Sequence, residues 1–385
     1  MEAIPRPRHR KVTPMPESLQ LSPLSAVPTE VDAALGTFFR DRHADYDAID
    51  PVVADGIDAL EEFVTGGGKR LRPVFTWAGL RAVVESGRGT GLPGTPDQLM
   101  TAAASLEFIQ ACALIHDDII DHSDTRRGHP TTHRRFAARH RAAGWPGSAE
   151  DYGESLAILV GDLAFAWADD MLADAGLDSA ALQRAREPWR AMRTEVIGGQ
   201  MLDIALENSP LDAAPDPEAA LKVNRYKTAA YTVERPLHLG AALVGADAAT
   251  VDLLRTAGRD IGLAFQLEDD YLGVFGDPAV TGKAAGDDLR SGKRTFLLAG
   301  ALAAADRDDP AAARRLRGGV GTVTTDAEVD ALRDIILTSG AVDQTTDLVR
   351  TLTDRAVALL RGTFAGTPVL DELIAVAEKL TDRRS

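Results

Sequence analysis

The chain has 385 residues, 26% charged and 45% hydrophobic, the balance of a soluble globular protein that can bury a large core. Its formal net charge of −16 argues against nucleic acid as a partner, and any phosphorylated substrate would need local cations or metal ions to reverse the sign. No run approaches the roughly 18 consecutive apolar residues of a membrane span, so no transmembrane segment is expected, and a lone cysteine, Cys112, excludes an internal disulfide framework and fits a reducing, cytoplasmic compartment.

Residues 1–28 are proline-rich, lack apolar periodicity and read as a disordered arm; their basic start has no apolar h-region and is not a secretory signal. Residues 29–385 read as a single all-α domain, because from Val31 onward the pattern is helical and strand signals are scarce. Breakers stand at Gly66-Gly67-Gly68, Gly91 to Gly94, Trp145-Pro146-Gly147 and Gly276-Asp277-Pro278. After the first comes Lys69-Arg70-Leu71-Arg72-Pro73. This segment suits either a solvated basic turn or an anion site, and the glycines permit close backbone approach to a phosphate.

The next helix starts at Thr95, with Pro96 at its first position and Gln98 completing a capping box. Continued to Asp121 it would be about 26 residues and roughly 39 Å long, apolar on most faces and therefore buried. Its C-terminal end carries His116, Asp117, Asp118 and Asp121, at the end of the helix dipole that disfavours carboxylates. Something positive must compensate. Asp117 and Asp121, four apart, share a face and offer hard oxygen donors to a cation such as Mg²⁺. A solvated acidic helix end is the alternative, and the apolar run before it speaks against that.

A second apolar helix, Gly262 to Asp270, again ends in paired aspartates, Asp269 and Asp270, and Lys283, Lys293 and Arg294 follow. Two such clusters across a cavity would repel by about 1 to 4 kcal/mol per close pair at effective dielectrics of about 80 to 20. Divalent metal would relieve that repulsion and create a diphosphate site.

In order along residues 60–300, the chain shows GGGKRLRP, the DDxxD of Asp117 to Asp121 followed by Arg126-Arg127-Gly128-His129-Pro130, Gly199-Gln200-Met201-Leu202-Asp203, Lys227-Thr228, and FQLEDD with a following GD and GK. The set resembles the trans-isoprenyl diphosphate synthases, the polyprenyl synthetase family, and most of all geranylgeranyl diphosphate synthases. The resemblance implies an all-α isoprenoid-synthase bundle around a deep cavity, usually a homodimer, that condenses isopentenyl diphosphate with allylic diphosphates.

By the same resemblance, Asp117, Asp121 and Asp269 are direct ligands of three Mg²⁺ ions, and Asp118 and Asp270 are supporting or bridging carboxylates. Arg126, Lys227 and Lys283 grip the allylic diphosphate. Lys69, Arg72, Gln110 and Arg127 form the isopentenyl diphosphate pocket. Thr228 and Gln266 stabilise the allylic cation, and Gln200 and Asp203 line the cavity near the metals. Gln200, Asp203 and Gln266 also fit as satisfied core polar groups. His116 reads as a structural neighbour, Glu234-Arg235 has no assigned role, and Arg383-Arg384 reads as a frayed basic tail.

Cys112 and Ala113, just before Asp117, are small and would leave the cavity floor open by about one helical turn, 5.4 Å, with Phe108 and Ile109 as the next floor. A geranylgeranyl product is expected, with another helix or a dimer partner as the alternative floor. The second motif departs from DDxxD, because Gly273 stands where the third carboxylate belongs. A class I terpene cyclase and a noncatalytic subunit of a heteromeric synthase are the competing functions; the cyclase would not need Lys69 and Arg72.

Overall fold

The computed structural model describes residues 21–210, 216–277 and 286–382, and most of them lie in helices. Lys283, Arg383, Arg384 and residues 1–20 of the expected arm fall outside these ranges. The helical domain begins earlier than residue 29: α1 spans Val27–Asp47, and Leu24 and Val27 are buried. The Trp77 indole donates to the Ser22 carbonyl at 2.9 Å, which fixes this entry segment against α3 (Leu71–Glu85).

Each expected breaker within the described residues lies between or at the end of helices, and Pro278 of the fourth falls outside them. α2 (Pro51–Thr65) ends at the glycine triplet, and α3 is separated from α4 (Pro96–Ala104) by the loop containing Gly91 to Gly94. Thr95 and Gln98 form the reciprocal capping box. The single long helix expected from Thr95 to Asp121 is two, α4 and α5 (Leu106–Ile120), with a break at Ser105. The Ser105 hydroxyl donates to the Ala102 carbonyl at 2.7 Å, competing with the backbone ladder at the bend. Pro96–Ile120 is long and apolar enough to cross a bilayer by composition alone, but 67% of its most apolar stretch is buried within the protein. It is the centre of the bundle.

The sole sheet among the described residues is a hairpin, β1 (Thr125–Arg126) with β2 (His129–Pro130), in which Arg126 pairs with His129. Arg127 and Gly128 at its tip both have positive φ, 53° and 79°, as a type I′ turn requires. After it come α6 (Thr132–Ala143), α7 (Ala149–Ala173) and α8 (Ser179–Glu207). α5 packs along α7, and α3 along α10 (Arg235–Leu243).

Between α9 (Pro217–Val223) and α10, residues Asn224–Glu234 form a π-helix, packed against α8 and α11 (Ala248–Phe275). Gly199 permits this contact, since a Cβ there would stand 2.2 Å from the Lys227 backbone nitrogen. The short α12 (Asp287–Ser291) follows α11, and the remaining helices, among them α16 (Ala341–Phe364) along α11, complete the bundle.

Candidate active site

A cavity of about 450 Å³ opens between α3, α5, the π-helix and α11. α5 turns Glu107, Gln110, Leu114 and Asp117 toward it, the spacing of one helical face. The π-helix contributes Asn224, Lys227, Thr228, Tyr231 and Thr232, and α11 contributes Phe265, Gln266, Asp269 and Asp270. The wider π turn sets Lys227 and Thr228 toward the same space as Asp117, a departure from α geometry often found at functional sites.

The cations that the helix dipole demanded are present. Arg126, on the hairpin, donates to both oxygens of Asp118 through Nε at 2.8 and 2.9 Å and lies 3.7 Å from Asp117. Lys227 Nζ lies 3.1 Å from Asp117 and also binds Asp203. Burial alone would lower the Lys227 pKa, but Asp117 and Asp203 more than offset this and hold it above the ordinary lysine value. The pKa of Lys293, just after α12, is also raised, by Asp288 first and, against its own burial, by Asp117, Asp121 and Asp203. Asp121, the C-cap residue of α5, is exposed and outside the cavity lining; desolvation, then the nearby Asp117 charge, raise its pKa.

The far wall differs. Asp269 is exposed to the cavity, whereas Asp270 is buried and accepts from Gln266 at 2.7 Å and Asn224 at 3.0 Å. Desolvation, then Asp288, pushes the Asp270 carboxyl up to about 7. A Cβ on Gly273 would stand 2.0 Å from the Asp288 Oδ2, so the volume beside position 273 already holds a carboxylate from α12.

At the other end, the glycine turn presents Lys69, and Arg72 donates to Gln110 at 2.6 Å and to Thr232 at 3.1 Å. The Arg72 guanidinium stacks over Tyr231 at 4.0 Å and its buried Nε has no hydrogen-bond partner. Arg127 reaches back to the Gly67 carbonyl at 2.5 Å; desolvation, then Arg126, Arg70 and Arg72, lower its pKa. Cations crowded this way favour an anion between them.

The structure thus brings Lys69, Arg72, Gln110, Asp117, Arg126, Arg127, Asp203, Lys227, Thr228, Gln266, Asp269 and Asp270 to one cavity. Asp118 lies behind it, buried on Arg126, and Gln200 is half-buried one turn before Asp203, outside the lining. Cys112 and Ala113 are also outside this lining. Cys112 faces α7, with its Sγ 3.8 Å from His116 Nδ1, and His116 Nε2 lies 3.2 Å from the Ile158 carbonyl. Burial and Asp162 push the Cys112 thiol up to about 12, so it remains neutral. Phe108 is buried among Phe38, Phe39 and Trp167, with ring centroids 5.0 to 6.0 Å away, and Ile109 is buried beside it.

Several lining residues were not anticipated: Glu107, Asn224, Tyr231 and Thr232, and Lys293 and Arg294 beyond their positive charge. The i, i+3, i+7 spacing of Glu107, Gln110 and Leu114 could have found the first. The π register hid the next three. Glu234 and Arg235 have structural partners, Arg255 and Arg259 for the former and Glu195 and His238 for the latter.

The donor set fits a hard divalent cation. It consists of carboxylate oxygens on two walls of one cavity, Asp117 on one and Asp269 on the other. After desolvation, the Asp117 charge is the next cause of the raised Asp121 pKa, a repulsion that such a cation would relieve.

Facing aspartate clusters, a cationic turn and an all-helical bundle define a class of protein, the isoprenoid synthases. The chain matches the polyprenyl synthetase family over residues 57–335. It is 33% identical over 301 residues to a geranylfarnesyl diphosphate synthase from Aeropyrum pernix, covering 77% of this chain and 84% of that protein. It is 33% identical over 276 residues to a (2E,6E)-farnesyl diphosphate synthase from Mycobacterium bovis, covering 71% and 68%. A geranylgeranyl pyrophosphate synthase from Corynebacterium glutamicum, complexed with isoprenyl diphosphate and magnesium, superposes with a TM-score of 0.87 at 48% identity, over 94% of this chain and 99% of that one. The chain belongs to the polyprenyl synthetase family and is a prenyltransferase.

Proposed function

We propose that the protein condenses isopentenyl diphosphate with allylic diphosphates to give a linear trans-polyprenyl diphosphate, with geranylgeranyl diphosphate as the main product. The observation that carries this reading is the pairing, in one cavity, of an aspartate-lined end with a second end where Lys69, Arg72 and Arg127 gather. Two anionic substrates need two such ends, and a cyclase, with one diphosphate, needs only the first.

In this reading Asp117, Asp121 and Asp269 hold Mg²⁺, three ions by family analogy, with Asp118 and Asp270 behind them. When bound, the metal supplies charge that stabilises the departing diphosphate. Lys227, Arg126 and, by sequence, Lys283 hold the allylic diphosphate. Lys227 and Arg126 occupy Asp117, Asp118 and Asp203 in this structure, so the same cations are already aimed at the site. Arg72, Gln110, Arg127 and Lys69 orient the isopentenyl diphosphate so that its double bond faces the allylic carbon. The Thr228 hydroxyl and the Gln266 amide oxygen face the developing cation, and apolar Leu114 and Phe265 keep water from it. The new bond forms and a proton leaves to the released diphosphate.

Small Cys112 and Ala113 above the aromatic packing of Phe108 support a product longer than farnesyl; the curated relatives include both shorter and longer synthases. A homodimer is supported by the exposed apolar side chains Ile158 and Leu159 on α7 and Ile197 and Met201 on α8. The protein works in the cytoplasm, as its single cysteine suggests. Incubation with Mg²⁺, isopentenyl diphosphate and each allylic primer, with product length read by chromatography, tests the reading. A twenty-carbon linear product that disappears with chelator supports it, and a Cys112→Phe variant should then release shorter chains. No condensation with any primer overturns it.

A further inference from the structure

Within the basic turn, one cation behaves unlike its neighbours. Lys69 is exposed at the cavity, while Arg70 beside it is only 4% exposed. Arg70 Nε donates to Asp32 of α1 at 2.8 Å and Nη1 donates to Glu107 of α5 at 2.7 Å. Glu107 is itself buried. Burial alone would lower the Arg70 pKa, but Glu107 and Asp32 outweigh it and secure the charge. The guanidinium is therefore committed to protein carboxylates from two other helices.

The backbone at Arg70 is left-handed, with φ 48° and ψ 38°, directly before the first residue of α3. A side-chain-bearing residue is disfavoured there and glycine is not. Three glycines precede this position, so the chain tolerates glycine in the turn. If the bend alone mattered, glycine would serve better. An arginine held there by two ion pairs, one to buried Glu107 and one to half-exposed Asp32, does more than bend the chain. It fixes where Lys69 ends and where α3, with Arg72 in its first turn, begins, relative to α5, which carries Gln110 on the same face as Glu107.

We propose that Arg70 is a positioning residue for the homoallylic end of the site: its bridge between Asp32 and Glu107 sets the turn that aims Lys69 and Arg72 at the isopentenyl diphosphate. This rests on the prenyl-synthase reading above. It also makes Asp32, far in sequence and outside the cavity lining, part of the support for that pocket. The plain alternative is an ion pair that only holds α1 to α5.

Arg70→Gly separates the two, because it keeps the backbone freedom and removes the bridge. The expected result is a KM for isopentenyl diphosphate raised by roughly 10- to 100-fold, with the KM for the allylic primer and kcat within about threefold of wild type. Arg70→Lys, which keeps the charge but not the two-way fork, should fall between. Should Arg70→Gly fail to fold, Asp32→Asn, at the half-exposed end of the bridge, should raise the same KM alone by roughly threefold to tenfold. Inorganic diphosphate binding without metal, followed by calorimetry, should weaken in the same order, and it holds whether or not the protein condenses prenyl groups. An unchanged isopentenyl diphosphate KM and unchanged diphosphate affinity in these variants, or equal losses at both substrates, would overturn the positioning role. An inactive wild type whose diphosphate affinity still depends on Arg70 would instead overturn the functional reading and leave the positioning of the anion site standing.

Discussion

The two aspartate clusters look alike in sequence and are built differently. At the end of α5, the middle aspartate, Asp118, is buried against a full charge, the Arg126 guanidinium, while Asp117 is shared with Lys227. At the end of α11, the corresponding Asp270 is buried against two neutral amides, Gln266 and Asn224, with Asp288 as a like-charged neighbour. The first cluster is an ion-pair network open to the cavity. The second is a hydrogen-bond network built on neutral amides, with one exposed carboxylate, Asp269. Equal motifs therefore do not imply equal electrostatics, and the same substitution at the two buried middle positions, Asp118 and Asp270, should give opposite results.

The largest effect is expected at the front of the first cluster. Asp117→Ala removes a cavity-facing carboxylate and one of the two partners of Lys227 together, and kcat should fall by roughly 10²- to 10³-fold, the size seen when one charge-stabilising group is lost. Asp269→Ala should cost about as much, since it is the second wall's exposed oxygen donor. A steady-state condensation assay measures both. If only Asp117 matters, the second cluster is not a metal wall.

Next comes Asp118→Asn. It removes the nearer of the two counter-charges of Arg126 and leaves Asp117 at 3.7 Å, and because Arg126 is about a quarter exposed we expect roughly 2 to 3 kcal/mol of lost stability, below the roughly 3 to 5 of a fully buried pair. A chemical denaturation midpoint reads this directly. The allylic KM should rise with it, because the hairpin that carries Arg126 loses its anchor. Unchanged stability would show that Arg126 has an alternative partner.

Gly273→Asp restores the missing third carboxylate on paper. Position 273 faces Asp288, whose oxygen stands 2.0 Å from any added Cβ. Overpacking and a like charge should cost about 1 to 3 kcal/mol, and condensation should slow, not improve. Faster turnover would mean that the chain lacks a carboxylate that Asp288 does not replace.

Much of this was legible in the residues. Apolar periodicity, the Thr95–Gln98 capping box and the glycine breakers gave the all-α class and most helix limits, because these are local signals. The residues predicted from the motifs make up about half of the cavity lining. What stayed hidden depends on tertiary contact or register. The break at Ser105 comes from one hydroxyl on a carbonyl, and the π-helix from packing against α8 at Gly199. Asp32 and Glu107 find Arg70 across 38 and 37 residues. Cys112 and Ala113 read as floor residues by spacing, yet Cys112 faces α7 and His116, so any floor they form lies away from the polar cavity.

The smallest effect, and the sharpest contrast, is Asp270→Asn. The same change that unsettles the first cluster should be nearly neutral in the second. Asp270 already accepts from two amides, and burial, with Asp288 nearby, lifts its carboxyl to about 7 in the folded chain. A carboxyl raised above its unfolded value binds more protons folded than unfolded, so it weakens the fold as pH rises from about 4 toward 7. Asparagine carries no charge to desolvate and removes that slope. In chelator-treated protein the variant should therefore melt at or above the wild-type temperature near pH 7, with the difference shrinking toward pH 5. Activity should stay within about tenfold, because the asparagine carbonyl still accepts a hydrogen bond and Asp269 keeps the exposed donor. A variant that melts well below wild type at pH 7 would mean that Asp270 is charged and paired like Asp118, and that the two clusters are electrostatic equivalents after all.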